Sequence, residues 1–537
     1  MANIHPVNGS RLSTIHVMFE FDNITGAQDY ELLVFDINQP GKPVVCKSAK
    51  QLALLITSGL QFDHAYNWYF RAMKNGKVQY TSPSYHFSIL YSVRTNPSYF
   101  RQEVSGKLIS QTDLVVIDNA AMAINRRGEA VWFLPIQDDA LQKRNVRDLD
   151  LTPAGTFTHL DNLGAYERYP DSLIVWHAPA EIPVDGSAKA GYHHQLTKLT
   201  DGSYVVGGFQ YKAGDEAAGA DAPRYNTLIH YNKDSSVRWY WSELESMKTD
   251  SLFRRYRNNQ GGGHLNGFAF SKDMNRIFLS FKNLSDVFVL NFADGKLESS
   301  IKTRMATKAP LFRQQHGPFL TADNKLVIYN NNISDEREEE NDKITHPSVQ
   351  LYRYDTLTKA FYFEREFVIQ SKRYPDGIAG KEGYASETSK GNILVCAGGA
   401  NYAAELNRSG IKQWECYFSR RPDTLSPWTA YSNYRCRQVP SLYPVYLTLQ
   451  YLYTKNGEYY FRMYNAGHSI ARYELQFFTG GNEVLKKNFS GSLSPGSVET
   501  IRLPLIDVKE QPLHCYVMAP GTGMAAKTYF NLLTEEK

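Results

Sequence analysis

Between residues 105 and 440 the chain repeats one pattern six times, and this repeat constrains the fold more than any other feature. Each unit has an apolar strand, a polar turn, a second apolar strand, a loop, and a strand that often ends in tryptophan. One copy contains the strand 192–199, the turn 200–203 and the strand 204–208. Four short antiparallel strands in each of six units predict a six-bladed β-propeller over residues 105–440.

The two ends of the chain lack this repeat and predict β-sandwich domains at residues 1–92 and 441–537. In the first, strand-like runs at 15–21, 30–35 and 66–72 are separated by turn residues. Their order resembles a fibronectin type III domain, which implies a module that positions or pairs other domains. In the second, residues 445–452 alternate between apolar and polar with period two. The fold class predicted for the whole chain is therefore all-β.

Composition agrees with this fold class and excludes several functions. Aromatic residues make up 13% of the 537 residues, with 36 Tyr and 28 Phe, which favours strands. The net charge of +4 gives no strong field for a polyanion, so nucleic-acid binding is not predicted. The sequence contains no run of about 18 apolar residues, so no membrane span is predicted. The five cysteines form no C-x-x-C pair, so neither a thiolate zinc site nor a disulfide scaffold is predicted.

The first residues show no basic segment followed by an apolar run, so no signal peptide is visible. This predicts a cytoplasmic protein, or a periplasmic or secreted one if the sequence begins at a mature N-terminus.

Three repeat units place a histidine at the strand expected to line the central channel, namely His194, His264 and His316. The chain has only 14 histidines, so matching positions in three units indicate a shared role. Neutral imidazole binds metals and shuttles protons near neutral pH, whereas imidazolium stabilises anions. The alternative is structural, with each histidine bonding an adjacent blade.

Four segments of the repeat region resemble the bacterial, PAPS-independent arylsulfotransferases, in that family's order. They are residues 264–285, residues 315–332 followed by Arg337, residues 384–415, and residues 434–444. The resemblance covers residues 105–444 and implies an enzyme that passes sulfate between phenols without a bound cofactor. It also implies that His264 and His316 line the sulfuryl-transfer pocket and that Arg337 clamps the sulfuryl oxygens.

One position departs from the family pattern. The family's nucleophilic histidine follows the Gly-Gly of the last blade, and here Tyr402 stands at that place. We therefore expect altered chemistry, with Tyr402 as nucleophile or substrate-orienting group, or direct transfer between substrates. Asn266 is a further predicted catalytic residue. The predicted substrate-binding residues are His194, Tyr192 and Tyr384.

Two other functions stay open at this point. The three channel histidines, His194, His264 and His316, would form a facial ligand set for a divalent or transition metal, with His193 or His346 as a fourth ligand. A lyase or an oxygenase would then be the enzyme class. The last function is a non-catalytic binding propeller whose sandwiches contact a partner. The expected substrate is a small aromatic molecule or a tyrosine-bearing one, and the sandwich domains are the expected surface of a homodimer.

Overall fold

The structure is a computed structural model. It describes residues 4–107, 113–136, 145–180, 191–211, 224–254, 262–308, 312–333, 344–479, 484–504, 513–519 and 524–530. Nearly all regular structure in these ranges is strand, which confirms the all-β prediction. The helices are short: α1 (Glu243–Thr249), α2 (Ser251–Arg254), α3 (Ile301–Arg304), and 3-10 turns at Val93–Thr95 and Lys282–Leu284. No helix in these ranges has the length and apolar character that crossing a membrane requires.

The N-terminal part is a pair of sheets packed around an aromatic core. Its strands are β1 (Ser10–Leu12), β2 (Val17–Glu20), β3 (Asp29–Asp36), β4 (Val45–Ala49), β5 (Ala53–Ile56), β6 (Ala65–Lys74), β7 (Lys77–Thr81) and β8 (Tyr85–Ile89). One sheet has the order β1-β8-β6-β3-β4, with β7 on β6, and the other pairs β2 with β5. Along β6 the buried Trp68 and Phe70 alternate with more exposed neighbours, so one face of the strand fills the core.

The repeat region is built from the next 28 strands, of which the first twelve form its first half. They are β9 (Phe100–Gly106), β10 (Leu114–Ile117), β11 (Met122–Asn125), β12 (Ala130–Phe133), β13 (Arg147–Leu151), β14 (Phe157–Asp161), β15 (Gly164–Arg168), β16 (Ile174–His177), β17 (Tyr192–Lys198), β18 (Tyr204–Tyr211), β19 (Arg224–Tyr231) and β20 (Val237–Ser242). β9 begins before residue 105, the predicted start of the propeller.

The second half contains the remaining sixteen. They are β21 (Leu265–Phe270), β22 (Arg276–Phe281), β23 (Asp286–Asn291), β24 (Leu297–Ser300), β25 (His316–Leu320), β26 (Lys325–Asn330), β27 (Ile344–Thr345), β28 (Ser348–Asp355), β29 (Ala360–Val368), β30 (Ile378–Ala379), β31 (Tyr384–Glu387), β32 (Ile393–Ala397), β33 (Tyr402–Leu406), β34 (Lys412–Arg420), β35 (Thr429–Ala430) and β36 (Cys436–Val439).

Twenty-six of these strands form six successive antiparallel sheets within the described part of the chain, and β27 pairs with β30 in a separate two-stranded sheet. The orders of the six sheets are β36-β10-β11-β12, β13-β14-β15-β16, β17-β18-β19-β20, β21-β22-β23-β24, β25-β26-β28-β29, and β31-β32-β33-β34 with β35 and β9 added to β34. The inner strands β13, β17, β21, β25, β31 and β36 contact one another in sequence, and β10 of the first sheet contacts β13. The ring is therefore a propeller, and β36 closes it by completing the first sheet from the far end of the chain.

Strands inside the ring are buried on both faces, because each sheet packs between two others. All four residues of β10 and all five of β32 are buried. This explains why the repeat units show continuous apolar runs, whereas strands of the flanking sheets show alternation.

The C-terminal part is a second sheet pair. Its strands are β37 (Leu447–Lys455), β38 (Glu458–Asn465), β39 (Ala471–Thr479), β40 (Val484–Leu493), β41 (Val498–Pro504), β42 (Leu513–Ala519) and β43 (Met524–Phe530). The sheet orders are β37-β38-β41 and β40-β39-β42-β43, and Phe461 and Phe477 lie in the core between them. This part contacts the N-terminal sheets, because the Tyr446 hydroxyl donates to Glu20 Oε2 at 2.7 Å.

Candidate active site

The inner strands begin with an unusual backbone conformation in five successive sheets. Asp148, His194, His264, Gln314 and Glu382 all have positive φ, between 49° and 60°. For residues other than glycine, this left-handed conformation costs about 1–2 kcal/mol each. The pairing register shifts in four of these inner strands, β13, β17, β21 and β25. Such bulges re-aim side chains and are common next to active sites.

Three of the predicted histidines lie together at this end of the ring. The ring of His194 is 5.1 Å from that of His264, measured between centroids. The rings of His194 and His316 each lie 5.9 Å from the ring of Tyr434. The structure therefore places His194 and His316 against Tyr434, which precedes the closing strand β36, with His264 beside His194.

Hydrogen bonds set the protonation of His194 through its neighbour His193. The Nε2 of His193 lies 2.9 Å from the carbonyl oxygen of Gly208, which only accepts, so Nε2 carries the proton. The Nδ1 of neutral His193 is then an acceptor, and it lies 2.6 Å from Nδ1 of His194. His194 must therefore donate through Nδ1–H, which leaves its Nε2 with a lone pair.

The same reasoning sets the protonation of His316. Asn331 donates through Nδ2 to the carbonyl oxygen of Glu382 at 3.0 Å, so its amide oxygen faces His316. The Nδ1 of His316 lies 2.6 Å from this oxygen and 3.2 Å from the carbonyl oxygen of Gln314. Both oxygens only accept, so Nδ1 carries the proton and Nε2 of His316 is the basic nitrogen.

Burial keeps these imidazoles neutral near pH 7. It lowers the pKa of His316 to about 3 and that of His193 to about 4. Burial, followed by the nearby rings of His193 and His264, lowers the pKa of His194 well below its ordinary value. The site therefore offers unprotonated nitrogen at neutral pH.

A cationic side chain lies beside this cluster. The Arg147 guanidinium is 5.6 Å from the Tyr434 ring, and its Nη1 is 3.3 Å from a carboxylate oxygen of Glu382. Arg147 also lines a cavity of about 260 Å³ together with His194, Tyr192 and Phe209. This cavity joins a cation, an imidazole and apolar ring surfaces.

A buried ionic network links the inner strands that carry the cluster. Asp148 pairs with Nη1 of Arg435, and it lies 2.8 Å from Nη2 of Arg437. Nη2 of Arg435 donates to the carbonyl oxygen of Asn266 at 3.1 Å. The Asn266 side chain donates to the carbonyl oxygen of Gln315 at 2.6 Å. The structure thus places Asn266, a predicted catalytic residue, in a bridge between neighbouring inner strands.

The predicted tyrosines lie at three different places. Tyr192 lines the cavity beside His194, and its hydroxyl bonds the Tyr231 hydroxyl at 2.8 Å. Tyr384 lines a different cavity of about 510 Å³, and the guanidinium carbons of Arg435 and Arg437 lie 5.1 Å from its ring centroid. Its ring packs against Gly317, where a Cβ would collide with it.

Tyr402 lies on β33, two strands out from the inner strand of its sheet. Its hydroxyl donates to Glu415 Oε2 at 3.1 Å and to the carbonyl oxygen of Gln370 at 3.3 Å. Burial, and then the Glu415 carboxylate, raise the pKa of Tyr402. His346, the other proposed fourth metal ligand, lines the same cavity as Tyr402. No contact described for Tyr402 joins it to the three histidines.

Arg337, the predicted oxyanion clamp, lies outside the described residues. Within the described ranges, no group of three or more His, Cys, Asp or Glu side chains is arranged to hold a metal ion.

Sequence reasoning missed Arg147, Asn331 and Glu382 as members of the site. Arg147 starts the inner strand β13, and the histidines lie at or near the starts of other inner strands, so its repeat position is a signal that the sequence offers. The sequence indicates Tyr434 only as part of the closing segment at residues 434–444. Asn331 follows β26, and Glu382 precedes β31. Both reach the cluster through contacts of the folded chain that no spacing in the sequence indicates.

A comparison with the sequence models of known families identifies the family of this chain. The sequence model of the family described as Arylsulfotransferase (ASST) matches residues 101–417. The fold and this match define a sulfotransferase-type propeller, and the chain belongs to the arylsulfotransferase (ASST) family. A search of curated proteins found no match.

Several solved structures are similar at low identity. One is a protein of unknown function from Bacteroides caccae, at 13% identity and TM-score 0.37, covering 57% of this chain and 93% of that chain. Another is a catalytically inactive virginiamycin B lyase from Staphylococcus aureus, at 10% identity and TM-score 0.30, covering 79% and 97%. A third is a functionally unknown protein from Desulfotomaculum acetoxidans, at 11% identity and TM-score 0.31, covering 64% and 90%.

Proposed function

We propose that this protein transfers a sulfuryl group from an aryl sulfate to a phenolic acceptor at the cluster of His194, His264 and His316. One observation carries the proposal: two imidazoles from different sheets donate their Nδ1–H to fixed acceptors, which leaves Nε2 of each ring unprotonated. A basic nitrogen is needed to take the acceptor's proton, and family membership supplies the reaction class.

The step is a single displacement in this proposal. The acceptor oxygen forms a bond to sulfur while the bond from sulfur to the donor oxygen breaks, and the donor leaves as a phenolate. The acceptor's proton passes to Nε2 of His316. Burial disfavours the imidazolium in the empty site, but an anionic sulfuryl group beside the ring favours it. Substrate binding therefore raises the basicity of His316 when it is needed.

Arg147 is the group that we assign to the sulfuryl oxygens. A guanidinium presents several N–H donors in a fixed plane, which suits an anion with three equivalent oxygens. Its partner Glu382 would exchange this contact for solvent or for a neighbouring group when substrate arrives. The aryl part of the substrate would lie against Phe209 and Tyr192 in the same cavity. Arg337 stays a predicted second clamp.

This proposal does not use Tyr402 as the nucleophile. Formation of its phenolate is disfavoured by burial and by the carboxylate of Glu415, since both raise the pKa of the phenol. A hydroxyl on the third strand of a blade is also displaced from the inner strands that carry the histidines.

The test is a donor–acceptor assay. Purified protein is incubated with 4-nitrophenyl sulfate and a panel of phenols, and both nitrophenol release and the sulfated acceptor are measured. We expect release that depends on acceptor and kinetics in which both substrates bind before product leaves. Intact-mass measurement with donor alone should show no sulfated protein.

His177→Ala is the matched control, because His177 is exposed on the outer strand β16. Its activity should equal that of the unchanged protein, whereas His316→Ala should lose most of its activity. Absence of sulfated acceptor across the panel would contradict the function. If the protein itself is sulfated with donor alone, the single displacement is wrong, but the proposed transferase function still stands.

A further inference from the structure

Two buried cysteines meet at the place where the ring closes. Cys396 lies on β32 of the last sheet, and Cys436 is the first residue of the closing strand β36. Their sulfur atoms are 3.1 Å apart, and both side chains are almost completely buried. The strands β32 and β36 belong to different sheets and also contact each other.

We propose that Cys396 and Cys436 form a disulfide that covalently closes the propeller when the protein folds in the presence of a disulfide oxidant. The bond length of a disulfide is about 2.05 Å, so the two sulfurs need to approach by only about one ångström. Cys416 belongs to the same core cluster, but its described sulfur contact is to the Tyr417 carbonyl oxygen at 4.0 Å.

The reaction is thiol–disulfide exchange and needs a small-molecule or protein disulfide as oxidant. The thiolate of one cysteine attacks the oxidant, forms a mixed disulfide and releases one thiol. The thiolate of the second cysteine then displaces the other half as a second thiol. The protein loses two protons and two electrons, and the oxidant gains them.

The burial of Cys396 determines when the disulfide can form. Burial, and then the hydrogen bond with Cys436, raise the pKa of Cys396 well above its usual value, so its thiolate is rare in the folded ring. Exchange therefore occurs before β36 docks, or when β36 detaches. Oxidation of folded, reduced protein should be slow and should accelerate under conditions that open the ring.

The bond has a consequence for the site. β36 follows directly after Tyr434 and Arg435, which lie beside the histidines. A bridge between residues separated by 40 positions restricts the unfolded chain and holds this segment in the ring. Reduction should lower thermal stability and loosen the support of Tyr434.

The experiment refolds the full chain in oxidised or reduced glutathione and compares the two products. We expect two fewer free thiols in the oxidised protein, a cross-linked peptide containing residues 396 and 436, and a melting temperature about 5 °C higher. These readouts do not depend on any enzymatic activity, so their outcome is separate from that of the proposed function.

Two variants complete the test. Cys416→Ala should keep the bridge and the melting-temperature difference, whereas Cys436→Ala should lose both. If Cys436→Ala fails to fold, the oxidised and reduced unchanged protein still decide the question. The proposal is overturned if oxidised protein keeps five free thiols, or if Cys416 is found in the cross-linked peptide.

Discussion

The axis of the ring and the core of the N-terminal sheets are both buried, but they are built from different groups. The N-terminal core consists of aromatic rings, with Phe19 packed edge-on against Trp68 at 5.0 Å. At the axis, Asp148, Arg435 and His316 are almost fully buried; Asp148 and Arg435 form an ion pair, and His316 hydrogen-bonds Asn331. One region is held by apolar packing and the other by hydrogen bonds and ion pairs.

The difference between apolar packing and buried polar bonding indicates which region can hold a functional site. Apolar burial stabilises by about 25 cal/mol per Å² and depends little on direction. Buried charges and polar groups instead need exact partners, because an unpaired one is strongly unfavourable. The axis also holds left-handed backbone at His194 and Asp148. Strain and buried polarity concentrated in one place indicate a site that the rest of the fold supports.

The largest expected effect is at the axis. His316→Ala removes the proposed base and should lower kcat/KM by about 10²–10⁴-fold, the range for general acid–base groups. The measurement is the transfer assay, with the melting temperature recorded alongside. If His316→Ala folds normally and keeps full activity, the claim that the axis carries the function and the N-terminal core only stability is wrong.

The next prediction compares the two regions directly. Asp148→Asn leaves Arg435 without its carboxylate partner and leaves Arg437 paired only with Asp150, so it should lower the free energy of unfolding by about 3–5 kcal/mol. Trp68→Ala should lower it by a similar amount, about 3–5 kcal/mol, through lost packing. Denaturant titration measures both.

The two variants should separate in activity at a temperature where each is folded. Asp148→Asn should reduce transfer, because it disturbs the strand starts that hold the histidines, whereas Trp68→Ala should not. Equal activity loss in the two would show that the axis has no special role beyond stability.

The sequence predicted the apolar regions better than the axis. The strands at 192–199 and 204–208 correspond to β17 and β18, because hydrophobic pattern decides them. The positions of His264 and His316 followed from the repeat. The left-handed backbone at His194 could not be predicted, because glycine is the residue that usually indicates this conformation in a sequence. Nor could the hydrogen bonds of Asn331, which depend on folded geometry.

Asn331 is expected to act as a positioning residue, with a smaller effect than His316. Asn331→Leu removes the nearer of the two acceptors for Nδ1–H of His316 and should lower kcat about 10-fold with little change in KM. Asn331→Asp places a carboxylate beside the ring, which raises the pKa of His316. The acid limb of its pH–rate profile should therefore move to higher pH. An unchanged profile would show that residue 331 does not set the state of the ring.

The smallest effect is predicted for Tyr402. Tyr402→Phe removes a hydroxyl that bonds Glu415 and should lower the free energy of unfolding by about 1 kcal/mol. Activity should change less than about threefold, because the proposed reaction proceeds without this group. Loss of activity comparable to that of His316→Ala would restore Tyr402 as the nucleophile.

The central claim concerns the two axial imidazoles, and nitrogen-15 NMR of histidine-labelled protein tests it most directly. Signals are assigned with His194→Gln and His316→Gln variants, and the spectrum is followed from pH 8 to pH 5. We predict that both rings stay neutral, with the proton on Nδ1 and none on Nε2, since burial holds the pKa of His316 at about 3. A proton on Nε2 of either ring at pH 7 would contradict the account.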